Sequence, residues 1–352
     1  MNKLLCFLTL NALLISGEPL LGCICVKPAP TYTAAETQKN PIPARYQWDA
    51  NAGYCGEVSF ISAGLYYGQY LSQYDARSIA CKGALQNKSQ LLLGKNDAYA
   101  AKQMHLNAII WDTDSEQTTD QFLAWVKQNV VKGYPVIIGI FTNEYLFYTD
   151  TDPDAGDSEY DHIVPVIGFG SNHPLADPAY YGDDTLFFSD NGLWGSTTNP
   201  PYYFNYYCDP FQADRKLANS KHGSIYSVNN DAANYGIAIT GVADLNNDTL
   251  PVRLTTNVNN EVPPIEDKSN TRPAPMPITL TITVSGLEPN TSYNLYRYNS
   301  FDAVPDSEFN AHASNASEHW NIAISSGTTF VMTEQIQSNE MAIYRAVRAD
   351  AP

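Results

Sequence analysis

The chain has 352 residues, of which 44% are apolar and 16% charged, and its 37 acidic and 20 basic side chains give a net charge of −17. This length and apolar fraction predict a folded protein with a large core and room for two domains. The acidity argues against a nucleic-acid binder, because phosphate backbones are bound by clustered Lys and Arg. It also argues against adsorption to anionic lipid, and any long-range steering would favour neutral or basic partners.

Residues 1–22 have the features of an export signal. Lys3 precedes an apolar run from Leu4 to Ile15, which is too short to cross a bilayer and is typical of a signal-peptide core. No later run approaches a spanning length, so we expect a secreted or cell-envelope protein without a membrane span. Residues 20–23 resemble a bacterial lipobox, in which Cys23 would carry a lipid anchor. Cleavage near Gly17 without lipid attachment is the alternative.

Three of the six cysteines lie in the body of the chain, namely Cys55, Cys81 and Cys208. In an oxidising compartment the simplest arrangement of an odd number pairs two of them. We expect a disulfide between Cys81 and Cys208, which leaves Cys55 as a free thiol. A free thiol in such a compartment is a candidate nucleophile.

Four segments follow from composition. Residues 1–22 are the signal, and residues 23–45 are rich in Pro and Thr and predict an extended tether. Helix and strand patterns alternate over 46–220, which predicts an α+β domain. Over 221–352 β-branched alternation replaces helical spacing and predicts a β-rich domain. Residues 285–298 resemble the strand–turn–strand of a fibronectin type III module, which favours a sandwich-like arrangement.

Helices and strands of the first domain can be placed from periodicity. Apolar residues recur at helical spacing directly after Cys55, so this cysteine is expected to begin a buried helix. Thr118 and Gln121 form a capping box for a second helix that extends to Val131. Short apolar runs then predict central strands at 135–140, 163–169 and 185–188.

Three polar residues lie at the ends of these elements in an order that suits nucleophilic catalysis. A thiol at a helix N-terminus faces unpaired amides and the positive end of the helix dipole, which favour the thiolate and can stabilise an oxyanion. His162, at the head of a strand, can accept the proton of Cys55. Asp190, at the end of the next strand, can bind the other ring nitrogen and fix the tautomer. Asn191 is the alternative third member.

These motifs resemble those of papain-like cysteine peptidases, and in particular the bacteriocin-processing-peptidase-like (peptidase C39-like) branch. The likeness covers residues 46–195. It consists of Cys-Gly opening a helix, a Gly-x-Pro-Val-Ile strand, a His before an apolar strand, and Asp-Asn before Trp194-Gly195. The resemblance implies a papain-like α+β fold and hydrolysis of a peptide or isopeptide bond through a thioester. It also implies a peptide or protein substrate and no metal or organic cofactor.

The sequence departs from that family in the oxyanion hole. There a Gln six residues before the Cys contributes a donor, whereas position 49 here is Asp. Gln47, eight residues before Cys55, is the nearest Gln and is expected to take this role across a two-residue insertion, with Asn51 as a lesser candidate. The third member is also ambiguous, because Asp190 fits the bacteriocin-peptidase branch whereas Asn191 followed by Gly fits papain.

An acidic loop separates the first two predicted strands. Its carboxylates alternate as in calcium loops, but it lacks the spacing and terminal Glu of an EF-hand. The residues concerned are Asp150, Asp152, Asp154 and Asp157. A solvated acidic loop is the interpretation and calcium the alternative.

Two other function classes remain open. A transglutaminase-like acyl transferase also uses Cys, His and Asp in this order, although an aromatic residue usually follows the His where Ile163 stands here. A non-catalytic extracellular binding protein on a degenerate peptidase scaffold would account for the displaced Gln and the many tyrosines. Reaction with a thiol-reactive probe at neutral pH separates this second class from the enzymes.

Overall fold

A computed structural model describes residues 34–48, 50–113, 117–192, 202–230, 233–258 and 270–351. Within these ranges the protein is α+β, with six α-helices and three β-sheets whose strands pair almost entirely antiparallel. The predicted signal segment and Cys23 lie outside the described residues, as does Trp194-Gly195. Among the helices that the structure describes, none has the length and hydropathy needed to cross a membrane.

Two of the six helices, α1 and α4, lie where periodicity and capping predicted them, and the other four were not predicted. Their bounds are α1 Cys55–Tyr66, α2 Gln73–Ala80, α3 Asp97–Gln103, α4 Thr119–Val131, α5 Glu144–Tyr148 and α6 Arg215–Ala218. The predicted capping box is present: the Thr118 side chain accepts from the Gln121 amide, and the Gln121 side chain accepts from the Thr118 amide. Two backbone amides at the start of α4, which have no acceptor within the helix, are thereby hydrogen-bonded.

Seventeen strands fall into three sheets in the described residues. In chain order they are β1 Glu36–Lys39, β2 Gln69–Tyr70, β3 Leu106–Ile110, β4 Val136–Thr142, β5 His162–Ser171, β6 Thr185–Asp190, β7 Tyr202–Tyr207, β8 Gln212–Ala213, β9 Tyr226–Asn229, β10 Gly236–Val242, β11 Thr249–Leu250, β12 Val252–Thr256, β13 Pro277–Ser285, β14 Ser292–Tyr298, β15 Glu318–Ala323, β16 Thr329–Gln337 and β17 Ala342–Arg348. The largest sheet has the order β3-β10-β4-β5-β6-β7 and also includes β1, β8 and β9.

The central pair β5 and β6 brings two polar residues to one edge of this sheet. The strands are antiparallel, with Val166 opposite Phe188. Because β5 begins where β6 ends, His162 as the first residue of β5 and Asp190 as the last residue of β6 lie on the same edge. The buried apolar residues of both strands hold this edge in a fixed register.

Helix α1 is enclosed by protein. Eleven of its twelve residues are buried, because its sequence is apolar or small around nearly its whole circumference. Phe60 and Ile61 share one core with Ile163 of β5 and with Ile278 and Leu280 of β13. The helix is therefore clamped between the large sheet and the C-terminal strands, which fixes the position of Cys55 at its N-terminus.

The largest sheet extends past residue 220, where the sequence predicted a change of domain. Strand β10 pairs with both β3 and β4 and so belongs to the first sheet. The remaining strands form a five-stranded and a three-stranded sheet, and β2, which follows α1, pairs with β17 of the former. Pairings over such long separations leave no trace in local composition.

The second half of the predicted tether over 23–45 is part of the fold. Strand β1 pairs antiparallel with β5, from Glu36 opposite Ser171 to Lys39 opposite Gly168. Arg45 is buried and donates to the Thr256 hydroxyl at 2.7 Å. The Pro- and Thr-rich composition indicated extended backbone, and this backbone is used as an edge strand.

Candidate active site

Cys55 is the first residue of α1, where the helix presents unpaired amides. The amide groups of the first turn have no partner within the helix, and the Tyr54 N-cap supplies no side-chain acceptor. The Gln47 Oε1 atom instead accepts the Tyr54 amide at 2.9 Å. The side chain of Gln47 thus reaches the start of the helix in spite of its displacement in sequence. The thiol of Cys55 is half-buried.

His162 contacts both of its predicted partners. Its Nε2 atom lies 3.1 Å from Asp190 Oδ1, and both side chains are almost completely buried. Cys55 is close enough to the ring for its charge and hydrogen bonding to raise the pKa of His162. The imidazole ring therefore lies between the start of α1 and the end of β6.

These contacts determine the protonation of the ring. Burial alone lowers the pKa of His162, but the hydrogen bonds to Asp190 and Cys55 and the charges of both residues outweigh it and raise this pKa to about 9. An imidazole with this pKa holds a proton at neutral pH. Such a ring is suited to a thiolate–imidazolium pair with Cys55.

Asn191 has a different role from its neighbour. Its Nδ2 atom donates to the carbonyls of Cys55 at 3.1 Å and Ile163 at 2.8 Å, and it lies 3.2 Å from the Ser59 hydroxyl. Its own carbonyl accepts the Gln47 amide at 2.7 Å. Asn191 thus ties α1 to β5 and to the segment that carries Gln47, and Asp190 is the residue that contacts His162.

The Tyr226 side chain, in β9, packs against one face of the His162 ring. This contact was not predicted from the sequence. The Tyr226 ring is fully buried and stacks on His162, with centroids 6.1 Å apart and planes 24° apart. Burial and the neighbouring charge of Asp190 raise the pKa of Tyr226 well above its ordinary value. The chain has 24 tyrosines, and nothing in the sequence around Tyr226 distinguishes it from the others. Its ring keeps water away from the His162–Asp190 pair.

Arg77, also not found from sequence, holds the loop before the nucleophile. Asn51, Ala52 and Gly53 all have positive φ, of 52°, 64° and 83°. The first two are not glycines, so this backbone is strained. The buried Arg77 guanidinium donates to the Asn51 carbonyl at 3.1 Å and to the Gly53 carbonyl.

The same guanidinium is itself enclosed by an acid and an aromatic ring. Its Nε atom pairs with Glu57 at 2.6 Å, and both side chains are buried. Its Cζ atom lies 3.5 Å from the centroid of the Tyr54 ring. Glu57 and Tyr54 flank Cys55 closely in sequence, so Arg77 fixes the start of α1 from both sides.

The predicted disulfide does not form. Cys55, Cys81 and Cys208 are all free thiols. Cys81 directly follows α2 and packs beside the core that contains α1, whereas Cys208 is buried in a second core on the other side of the large sheet. Burial raises the pKa of Cys81 and of Cys208, so both remain protonated at neutral pH.

The acidic loop does not assemble a metal site. In the part of the chain that the structure describes, no three His, Cys, Asp or Glu side chains converge on a point where an ion could be held. The carboxylates of Asp150 and Asp152 accept the backbone amides of Asp152 and Asp154, at 2.9 and 3.0 Å. The loop is thus ordered by local turns, and the calcium alternative is not supported.

Comparison with known proteins does not assign a family. No family model, curated protein or solved structure matches the chain. Function is therefore inferred from the geometry of Cys55, His162 and Asp190.

Proposed function

We propose that the chain is a papain-like cysteine hydrolase that cleaves a peptide or isopeptide bond outside the cytoplasm. The observation that carries the proposal is the His162 ring, which lies 3.1 Å from Asp190 at a strand end and close enough to Cys55 at a helix N-terminus for Cys55 to raise its pKa. Nucleophile, base and orienting group brought together in this way are the signature of an activated nucleophile. The export signal in the sequence supports the compartment.

Catalysis would begin from a thiolate–imidazolium pair, in which His162 already holds the proton of the Cys55 thiol. The thiolate attacks the substrate carbonyl carbon, and the resulting oxyanion collapses as the amine leaves with the proton of His162. Water then attacks the thioester, His162 accepts one of its protons, and the Cys55 thiolate departs from the acid product. Asp190 keeps the ring oriented and stabilises the imidazolium in both halves of the cycle.

The oxyanion would be bound by the Cys55 amide and by Gln47. The Gln47 Oε1 atom is committed to the Tyr54 amide, which orients the side-chain carboxamide and leaves its NH₂ group as a donor at the helix start. The link from the Gln47 amide to Asn191 holds its backbone to the same strand end as Asp190. Two fixed donors of this kind are the usual means of stabilising an acyl-transfer oxyanion.

Thiol alkylation of the full chain tests the nucleophile. We expect iodoacetamide at neutral pH to modify Cys55 at least about tenfold faster than Cys81 or Cys208, as peptide mapping would show. His162→Ala should abolish this selectivity. Cys81→Ala is the matched control and should leave the rate at Cys55 unchanged. Equal, slow rates at all three thiols would contradict the proposal and favour the non-catalytic binding protein.

Turnover of randomised peptide pools tests the reaction. New N-termini should appear with the native chain and with Cys208→Ala, whose side chain lies in the other core, and be absent with Cys55→Ala. In H₂¹⁸O the new C-terminus should carry one ¹⁸O atom when water is the acceptor. If added glycinamide is incorporated instead of ¹⁸O, even at low concentration, the chain is an acyl transferase and hydrolysis is the wrong assignment.

A further inference from the structure

A pocket of about 480 Å³ opens beside the loop that leads into Cys55. Asn51 and Ala52 form one wall, and residues of the 87–96 segment form the other. This segment crosses the first turn of α1, where the Leu91 amide donates to Glu57 at 2.9 Å. Both walls of the pocket are therefore attached to the helix start that carries the nucleophile.

The distance to the nucleophile is short. Ala52 precedes Cys55 by three residues, which span at most about 11 Å even when fully extended. A peptide bound in extended form advances about 3.4 Å per residue. A side chain in this pocket would therefore belong to a residue within about three positions of the scissile bond.

The walls are held in place by hydrogen bonds. Gln90 donates to the Ala52 carbonyl at 2.6 Å and so links the two walls. Asn96 donates from Nδ2 to the Gln90 carbonyl at 2.9 Å and accepts the Leu92 amide at 2.8 Å. Cys81 Sγ lies 3.4 Å from the same Gln90 carbonyl. The pocket is thus preformed.

The charge of the pocket is opposite to that of the protein. Ten residues line it; four carry side-chain amides, two are lysines and none is acidic. This is notable in a chain with 37 acidic and 20 basic residues. Neither Lys88 nor Lys95 is ion-paired with a carboxylate among the described residues. Both lysines are exposed to solvent.

We infer that this pocket binds an acidic side chain of the peptide substrate, close to the bond that is cleaved. The inference rests on the proposed function for its register with Cys55. Two unpaired ammonium groups attract a carboxylate, and the exposed Asn87 side chain can donate to its oxygen atoms, whereas the other amides hold the walls together. The preference is local, because the net charge of −17 repels acidic peptides at long range.

Electrophilic peptides test the pocket in register with the nucleophile. A pair of peptidyl acyloxymethyl ketones would carry either Glu or Gln at two or three residues from the reactive group. At low salt we expect the Glu reagent to label Cys55 about tenfold faster than the Gln reagent. In K88Q/K95Q this ratio should fall to within about twofold, and about 0.5 M salt should reduce it in the native chain.

The control variant K216Q/K221Q makes the same change of charge on exposed lysines outside the pocket. It should keep the tenfold ratio. Equal labelling by the two reagents, or a Glu preference that survives K88Q/K95Q, would overturn the inference.

Binding to the Cys55→Ala chain separates this inference from the proposed function. Fluorescein-labelled hexapeptide pools that differ only in Glu or Gln would be compared by anisotropy. Tighter binding of the Glu pool, lost in K88Q/K95Q, supports the pocket even if Cys55 proves unreactive. Equal affinities of the two pools, in a protein whose Cys55 is reactive, would overturn the inference about the pocket without contradicting the proposed hydrolase.

Discussion

Asp190 and Asn191 are adjacent in the chain, yet their side chains bind opposite halves of the candidate site. Asp190 contacts the histidine at 3.1 Å, and Asn191 donates to the backbone carbonyl of Cys55 at 3.1 Å. At the end of a strand, successive side chains point to opposite faces, so one position orients the base and the next secures the nucleophile helix. Substitutions at the two positions should therefore change different properties: the pH dependence of activity at Asp190 and the stability of the fold at Asn191.

Asp190→Asn should shift the basic limb of activity. It keeps a hydrogen-bonding oxygen opposite His162 but removes the negative charge that helps to raise the pKa of this ring. In the native protein the imidazolium persists up to about pH 9. The variant should lose its proton at least about one pH unit lower, which the pH dependence of turnover and an NMR titration of the ring would measure. An unmoved basic limb would show that the charge of Asp190 does not act on His162.

Asn191→Ala should lower stability while leaving the pH profile in place. The variant removes one donor from the carbonyls of Cys55 and Ile163, to both of which the Ser59 hydroxyl also donates. We expect a loss of about 0.5–1.5 kcal/mol in the free energy of unfolding, measured in urea. The basic limb near pH 9 should stay, because the His162–Asp190 contact is untouched. A shifted limb with unchanged stability would contradict this division of roles.

The raised pKa of His162 also makes stability depend on pH. Its folded-state pKa of about 9 exceeds the ordinary value of 6.5, so the protonated ring stabilises the folded state fully below pH 6.5. This contribution is lost as pH rises through about 9. Urea unfolding at several pH values across this window should show a decline that His162→Gln reduces. Equal declines in both proteins would place the cause elsewhere.

Arg77→Met should be among the most destabilising changes in the chain. It leaves Glu57 as a buried, unpaired carboxylate and frees the strained carbonyls of Asn51 and Gly53. We expect the free energy of unfolding to fall by about 3–5 kcal/mol. Adding Glu57→Gln should recover part of this loss, as a double-mutant cycle would measure. Arg253→Met, which removes a half-buried arginine stacked on Tyr66, is the control and should cost less.

Gly56→Ala should destabilise the protein, although Ala usually favours a helix over Gly by about 1 kcal/mol. An added Cβ would collide with the Leu91 carbonyl oxygen, which is backbone and cannot swing away. The loss should appear in thermal or urea unfolding and should exceed that of Gly64→Ala. At Gly64 the nearest neighbours, at 3.2 Å, include the movable Gln69 side chain. Stabilisation by Gly56→Ala would mean that the segment from 87 to 96 does not pack on α1.

The sequence was sufficient for features that depend on local pattern. The start of α1 at Cys55, the capping box of α4 and the strands that carry His162 and Asp190 all follow from periodicity and end signals. Each of these features is fixed by neighbours within a few residues. Local pattern therefore placed the ends of the elements on which the candidate site is built.

Features that depend on long-range contacts could not be predicted in this way. Tyr226 meets His162 only because β9 pairs with β4, and Arg77 reaches the loop before Cys55 from α2. The disulfide guess failed for the same reason, since counting cysteines says nothing about which core each one enters. Only the pairing of the strands decides that Cys81 and Cys208 lie on different sides of the sheet.

The pairing of β1 with β5 has a consequence for how the molecule would be oriented at a cell surface. The chain enters the fold opposite Ser171, whereas His162 begins the same ten-residue strand. At about 3.3 Å per residue these ends are about 30 Å apart. An anchor of the kind proposed from the lipobox, upstream of residue 34, would therefore act on the end of β5 remote from His162.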